Sequence, residues 1–221
     1  MLVTEVNEAL PGGSSLLRNE PVQARSSARL TGLLDAAAAI IDEIGFERLT
    51  TAMVADRAGA SIGTVYRYFP DRIAVVEALA ARCIQRLIER IDSAVAAGEL
   101  ADWHDAIAIA IDVDVSMYRS EPGFRAIRFS DVENTDKVPT GTIDRDDDRR
   151  SLAVAFTSLL VGRFGLVSTA EFEFALEVAV EMGTALVARA FSRDPAGDSR
   201  FISECHRVVK GYLAEVVVSR A

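Results

Sequence analysis

The sequence predicts an all-α fold, and three observations predict it. Apolar residues recur at three- and four-residue spacing along most of the 221 positions, the period of a helix with one buried face. One stretch, residues 101–119, alternates Ile and Ala as a strand would, but its length and its helical neighbours favour a helix. Leu49 to Arg72 reads as two short helices joined by a tight turn. About nine helices are expected: a flexible tail over 1–26, a three-helix domain holding that pair over 27–71, and a helical body over 72–221.

The tail combines Pro11, Gly12, Gly13, Ser14 and Ser15 with few bulky residues, which predicts disorder. The alternative uses Arg18, Arg25 and Arg29 as an arm into a DNA minor groove. From Ser27 to Ile44, Leu30, Leu33, Leu34, Ala37, Ile41 and Ile44 form one apolar stripe, and Gly45 ends that helix.

Thr50 caps the next helix, Thr51 to Ala58, and Gly59 supplies the left-handed residue that a helix stop needs. Ser61 caps a second helix from Ile62 to about Tyr68, and Pro70 forbids its continuation. Phe46, Leu49, Val54, Val65 and Phe69 supply a small core for this motif. Asp71 caps a helix of about 26 residues that begins at Arg72 and meets no breaker before Gly98.

Glu121-Pro122-Gly123 breaks the chain, Phe124 to Phe129 forms a short helix or turn, and residues 130–144 read as a polar loop. Three more helices follow, over about 145–165, 169–191 with Ser168 or Thr169 as cap, and 199–218.

The second helix of a helix-turn-helix enters the major groove, and its first two turns reach base edges. Arg67 has paired donors for a guanine, Thr64 a methyl for a thymine, and Tyr66 reaches bases or phosphate. Gly63 lets the backbone approach closely. Two aromatics, an arginine and a threonine on seven residues after an Ala-Gly-Ala-Ser turn are poorly explained by packing alone.

The string A-x-x-A-G-A-S-x-G-T-V-Y-R-Y-F-P-D-R resembles the TetR family of bacterial repressors, over about a quarter of the chain. Ala55, Ala58, Gly59, Ser61, Gly63, Thr64, Tyr66, Tyr68 and Phe69 carry that resemblance. It implies a homodimer that binds palindromic operator DNA and is released by a small-molecule effector. It also implies that Thr51, Tyr68 and Arg72 contact phosphates, and that the long helix transmits the effector signal. Ala52, Met53 and Ile62 depart from the family's polar or charged residues, and Thr50 therefore lacks the reciprocal half of a capping box.

The net charge of −9 is unusual for a DNA binder. Residues 18–72 are neutral, with seven Arg against seven Asp or Glu, so the acidity lies outside the reading head. Phosphate binding follows local charge, and a modest number of phosphate contacts is expected.

Half of the residues are hydrophobic, enough for a sizeable core, and no apolar run approaches the roughly 20 residues of a membrane span. The N-terminus has no basic region leading an apolar one, and Cys83 and Cys205 read as reduced thiols, so a cytoplasmic location is expected. His104 and His206 lie far apart, and no metal, cofactor or catalytic motif stands in context. The acidic run Asp144, Asp146, Asp147 and Asp148 suits the start of a helix. The sequence therefore predicts no enzyme, no cofactor and no metal.

In the body, Trp103, Met117, Tyr118, Phe124, Phe129, Phe156 and Phe164 suit either an apolar effector pocket or an ordinary core. The last two helices have broad apolar faces with small residues that allow close approach. The resemblance implies that they pair with a second copy, through Phe172, Leu176, Val180, Gly183, Val187, Val208, Val209, Tyr212 and Val216.

Overall fold

The computed structural model describes residues 24–133 and 145–217. These residues form nine α-helices and one 3-10 turn, with no strand element among them. The helices are α1 (Ala24–Ile44), α2 (Thr51–Arg57), α3 (Ile62–Tyr68), α4 (Arg72–Ala97), α5 (Trp103–Ser120), α6 (Phe124–Glu133), α7 (Arg145–Phe164), α8 (Ala170–Phe191) and α9 (Ser199–Val216). The 3-10 turn, Phe46–Arg48, lies between α1 and α2.

Each predicted cap forms. The Thr50 hydroxyl accepts from the Met53 amide at 3.2 Å, and the Asp71 carboxylate accepts from the Ile73 and Ala74 amides at 2.8 and 2.9 Å. Thr169, rather than Ser168, caps α8 by accepting from the Phe172 amide at 3.1 Å. In α5 the Ile and Ala residues that alternate in sequence fall on a helix, with Ala106, Ile107, Ala110, Ile111 and Val115 buried at three- and four-residue spacing.

Two compact units result, and their boundary differs from the expected one at residue 72. Among the described residues, one unit takes 24–85 and 121–133; the other takes 86–120 and 145–217. Helix α4 therefore contributes to both units, and α6 joins the first. Gly123 shows why α6 belongs there: its amide donates to Asp42 on α1 at 3.3 Å. Its φ is +74°, and an added Cβ would stand 3.0 Å from the Ala38 carbonyl oxygen. Only glycine permits both that backbone and that approach.

In the second unit α8 packs on α9 and α7, and α5 packs on all three. Polar ties sit at the edges: Arg149 donates to Glu181 at 2.9 Å between α7 and α8, and His206 meets Asp112 at 3.0 Å between α9 and α5.

Helix α1 opens at Ala24, so Arg25 and Arg29 are exposed residues on its first turns. This removes both from a flexible arm. Residues 1–23, with Arg18, lie outside the described residues, as does 134–144 of the expected polar loop. The start of that loop, Ser130 to Glu133, is helical instead and extends α6.

Candidate nucleic-acid interface

The motif is built as the sequence requires. Gly59 sits at φ +59°, where a residue with a Cβ is strained, and it carries the chain out of α2. The Ser61 hydroxyl then accepts from the Thr64 amide at 3.1 Å and starts α3. Leu49, Val54, Val65 and Phe69 are at most 1 % exposed, so the two short helices are held by a real if small core. Arg57 adds a bidentate ion pair to Glu43, at 2.6 Å for the shorter contact, between α2 and α1. The hydrogen bond from Arg57 holds the Glu43 carboxyl below its ordinary value.

Helix α3 divides cleanly into two faces. Val65 and Tyr68 are buried, while Ile62, Gly63, Tyr66 and Arg67 are exposed and Thr64 is half-buried. The exposed set carries three of the predicted DNA-contact positions, Gly63, Tyr66 and Arg67. On α2, the Thr51 hydroxyl donates to the Tyr66 hydroxyl at 3.3 Å, so two predicted contacts form one exposed polar spot. Arg72 is exposed and donates to the Glu47 carbonyl at 2.8 Å, which holds the guanidinium beside the 3-10 turn with further donors to spare. The Thr64 hydroxyl meets that of Ser61 at 2.9 Å, so the polar atoms at the helix start are engaged with each other.

Tyr68 requires a correction. Its ring is 1 % exposed, and its hydroxyl lies 2.8 Å from the Ser26 hydroxyl on α1. A phosphate has no access to it, so Tyr68 is a core residue that ties α3 to α1. Ile62 was not among the expected contacts, although it is 43 % exposed on the same face as Tyr66. The available signal was its departure from a polar residue directly after the cap.

The residues suggested for an effector pocket fall in both units. Phe124 is buried in the first unit, whereas Trp103, Met117, Tyr118, Phe156 and Phe164 belong to the second. Met117 is fully buried, and the Tyr118 ring stacks on Phe191 with centroids 4.9 Å apart. The Phe129 side chain lies outside the described residues. A groove of about 690 Å³ opens in the second unit between α4 and α7, lined by Asp92, Val95, Ala96, Ala155, Ser158, Leu159, Gly162 and Arg163. None of the suggested aromatics lines it.

The suggested pairing residues also separate. Phe172, Leu176, Val187 and Val209 are at most 4 % exposed within the chain itself, so they serve its own core and have no surface to offer a second copy. Val180, Gly183, Val208, Tyr212 and Val216 keep part of their surface. Phe174, which the apolar pattern had passed over, is 63 % exposed on α8, and Val154 is 59 % exposed on α7. Phe174 is two residues from Phe172 and so points to the other side of the helix.

Cys83 and Cys205 are buried thiols outside any disulfide. Burial, with the nearby Asp114 carboxylate, pushes the Cys205 thiol up to about 12. Among the described residues no cluster of His, Cys, Asp or Glu could hold a metal ion. None of the described helices is long and apolar enough to cross a membrane.

A capped, glycine-turned pair of helices that exposes threonine, tyrosine and arginine on its second member defines the class: a helix-turn-helix DNA-binding protein. Residues 33–79 match the family model described as bacterial regulatory proteins, tetR family, and residues 101–217 match a tetracyclin repressor-like C-terminal domain. The chain belongs to the TetR family of bacterial transcriptional regulators, which are DNA-binding regulators rather than enzymes.

Relatives agree. The HTH-type transcriptional repressor KstR of Mycolicibacterium smegmatis is 36% identical over 66 residues, covering 30% of this chain and 32% of that protein. The alignment therefore spans about a third of that curated relative. A TetR-family regulator from Streptomyces coelicolor is 32% identical, with a TM-score of 0.72, covering 85% of this chain and 99% of that one. The SmeT–triclosan complex, 20% identical with a TM-score of 0.60, covers 88% and 93% and shares the fold.

Proposed function

We propose that this regulator is a ligand-responsive repressor. It acts in the cytoplasm and binds a palindromic operator as a homodimer, through Gly63, Thr64, Tyr66 and Arg67 at bases and Thr51 and Arg72 at phosphates. The observation that carries this reading is the division of α3, with Val65 and Tyr68 buried below and Tyr66 and Arg67 exposed above. That KstR is a repressor supports the sign of the effect.

The pairing surface uses what the suggested residues leave exposed, Val180, Gly183, Val208, Tyr212 and Val216, with Phe174 as a separate apolar contact on the opposite side of α8 from Gly183. A twofold dimer presents two recognition helices about 34–36 Å apart, one turn of DNA. An apolar or amphipathic effector then favours a dimer geometry that no longer matches successive grooves. The shift it causes is limited by its differential affinity for the two states. That SmeT, which shares the fold, is found with triclosan supports a small-molecule effector.

The test begins with selection of duplexes from a random-sequence library by the full-length protein. Selected DNA is expected to be palindromic, with affinity that falls as salt rises. Arg67→Ala or Tyr66→Ala should each cost about 1–3 kcal/mol at one operator position. Wild-type affinity in both variants would reject the assigned face.

A further inference from the structure

Ile62 is the first residue of the recognition helix and one of the few large apolar residues left exposed in the described chain, at 43 %. Nothing in the fold requires it there. The cap is made by Ser61, the core of the motif by Val65 and Phe69, and the turn by Gly59. Residues at the start of a recognition helix are the ones that reach base edges.

The surroundings of Ile62 decide what it can read. The Ser61 and Thr64 hydroxyls are 2.9 Å apart and engaged with each other, and the Thr64 amide is bound to Ser61. Gly63 follows with no side chain, and Tyr66 lies one turn further along the same face. Among the Ser61, Thr64 and Tyr66 hydroxyls, Ile62 is thus the side chain of this corner that offers only carbon. In the major groove one base carries an apolar label, the 5-methyl group of thymine.

We infer that Ile62 is a specificity-determining residue that selects a thymine in each operator half-site by covering its 5-methyl group. The inference rests on the proposed use of α3 as the recognition helix. It adds thymine reading at Ile62 to that of Thr64, whose hydroxyl is engaged with Ser61 and whose methyl group can cover a different thymine. It also accounts for a position where this chain departs from its family toward an apolar residue.

The test uses the full-length protein and a duplex that it selects from a random-sequence library. Each thymine of the half-site is replaced in turn by uracil, which removes only the methyl group. At one position wild-type affinity is expected to fall about fourfold, the effect of uncovering one methyl-sized apolar contact. Ile62→Ala should lose a similar factor on the thymine duplex and show no further loss with uracil, while Ile62→Val keeps most of the discrimination. Because Ile62 is exposed, the variants are expected to melt like wild type, which circular dichroism checks.

A wild-type protein indifferent to uracil at every position overturns the inference. So does uracil sensitivity that persists at every sensitive position in Ile62→Ala, which would belong to another side chain such as Thr64. Failure to enrich any sequence overturns the DNA reading itself, and retained enrichment that Arg67→Ala abolishes keeps the two questions separate.

Discussion

Tyr66 and Tyr68 stand two residues apart on a helix of seven, and the helical turn sends their rings to opposite sides. Tyr66 is 44 % exposed and shares its hydroxyl with Thr51; Tyr68 is 1 % exposed and shares its hydroxyl with Ser26. Their substitutions should therefore have opposite readouts. Tyr68→Phe removes one buried hydrogen bond, so unfolding in urea should show a loss of about 0.5–1.5 kcal/mol, with operator affinity unchanged. Tyr66→Ala should weaken operator binding and leave the urea midpoint near wild type. Reactivity of the thiols belongs to the same scale. Cys205 is buried, and its thiol is pushed up to about 12. Deprotonation is what makes a thiol nucleophilic. Native protein should thus resist iodoacetamide at pH 8, and mass spectrometry should find label at Cys205 only after unfolding.

Elements are set by their ends and by single close approaches. The short helices α2 and α3 are too brief to be stable alone, and each depends on a hydroxyl cap and a shared core. Helix α6 depends on Gly123, where the chain passes against α1 at Ala38. Gly123→Ala imposes a strained positive φ and pushes a methyl group against a carbonyl oxygen. It should lower stability by about 1–3 kcal/mol in denaturant titration. A melt equal to wild type would mean that α1 and α6 can separate at no cost.

At the scale of the whole molecule the question is what covers Phe174. An aromatic ring 63 % exposed on a long helix is one that a partner can cover, and a second copy is the proposed one. Burying the exposed part of this phenylalanine contributes about 1–2 kcal/mol, and a twofold interface counts it twice. Phe174→Arg should then weaken the dimer by about 2–4 kcal/mol. Sedimentation at micromolar protein should shift toward monomer. Operator affinity should fall although every residue of the recognition face is intact. An unchanged dimer would place the pairing surface elsewhere.

Much of this protein is decided locally. Thr50, Ser61, Asp71 and Thr169 cap helices because a hydroxyl or carboxylate three residues or fewer upstream satisfies an amide within the same turn, and Gly59 turns the chain because it lacks a Cβ. Such effects need only neighbours in sequence, so the helices, the motif and its exposed arginine could be read from the chain alone. Which side of a helix faces inward across distant segments is another matter. Phe172 and Phe174, or Tyr66 and Tyr68, are the same residue type two positions apart, and only packing against α1, α7 or α9 separates core from surface. The fate of Phe124 and Phe156 in different units, and the assignment of α6 to the first unit through Gly123 and Ala38, depend on contacts between segments some eighty residues apart. Local chemistry writes the elements; long-range burial chooses which of their side chains remain available to a partner.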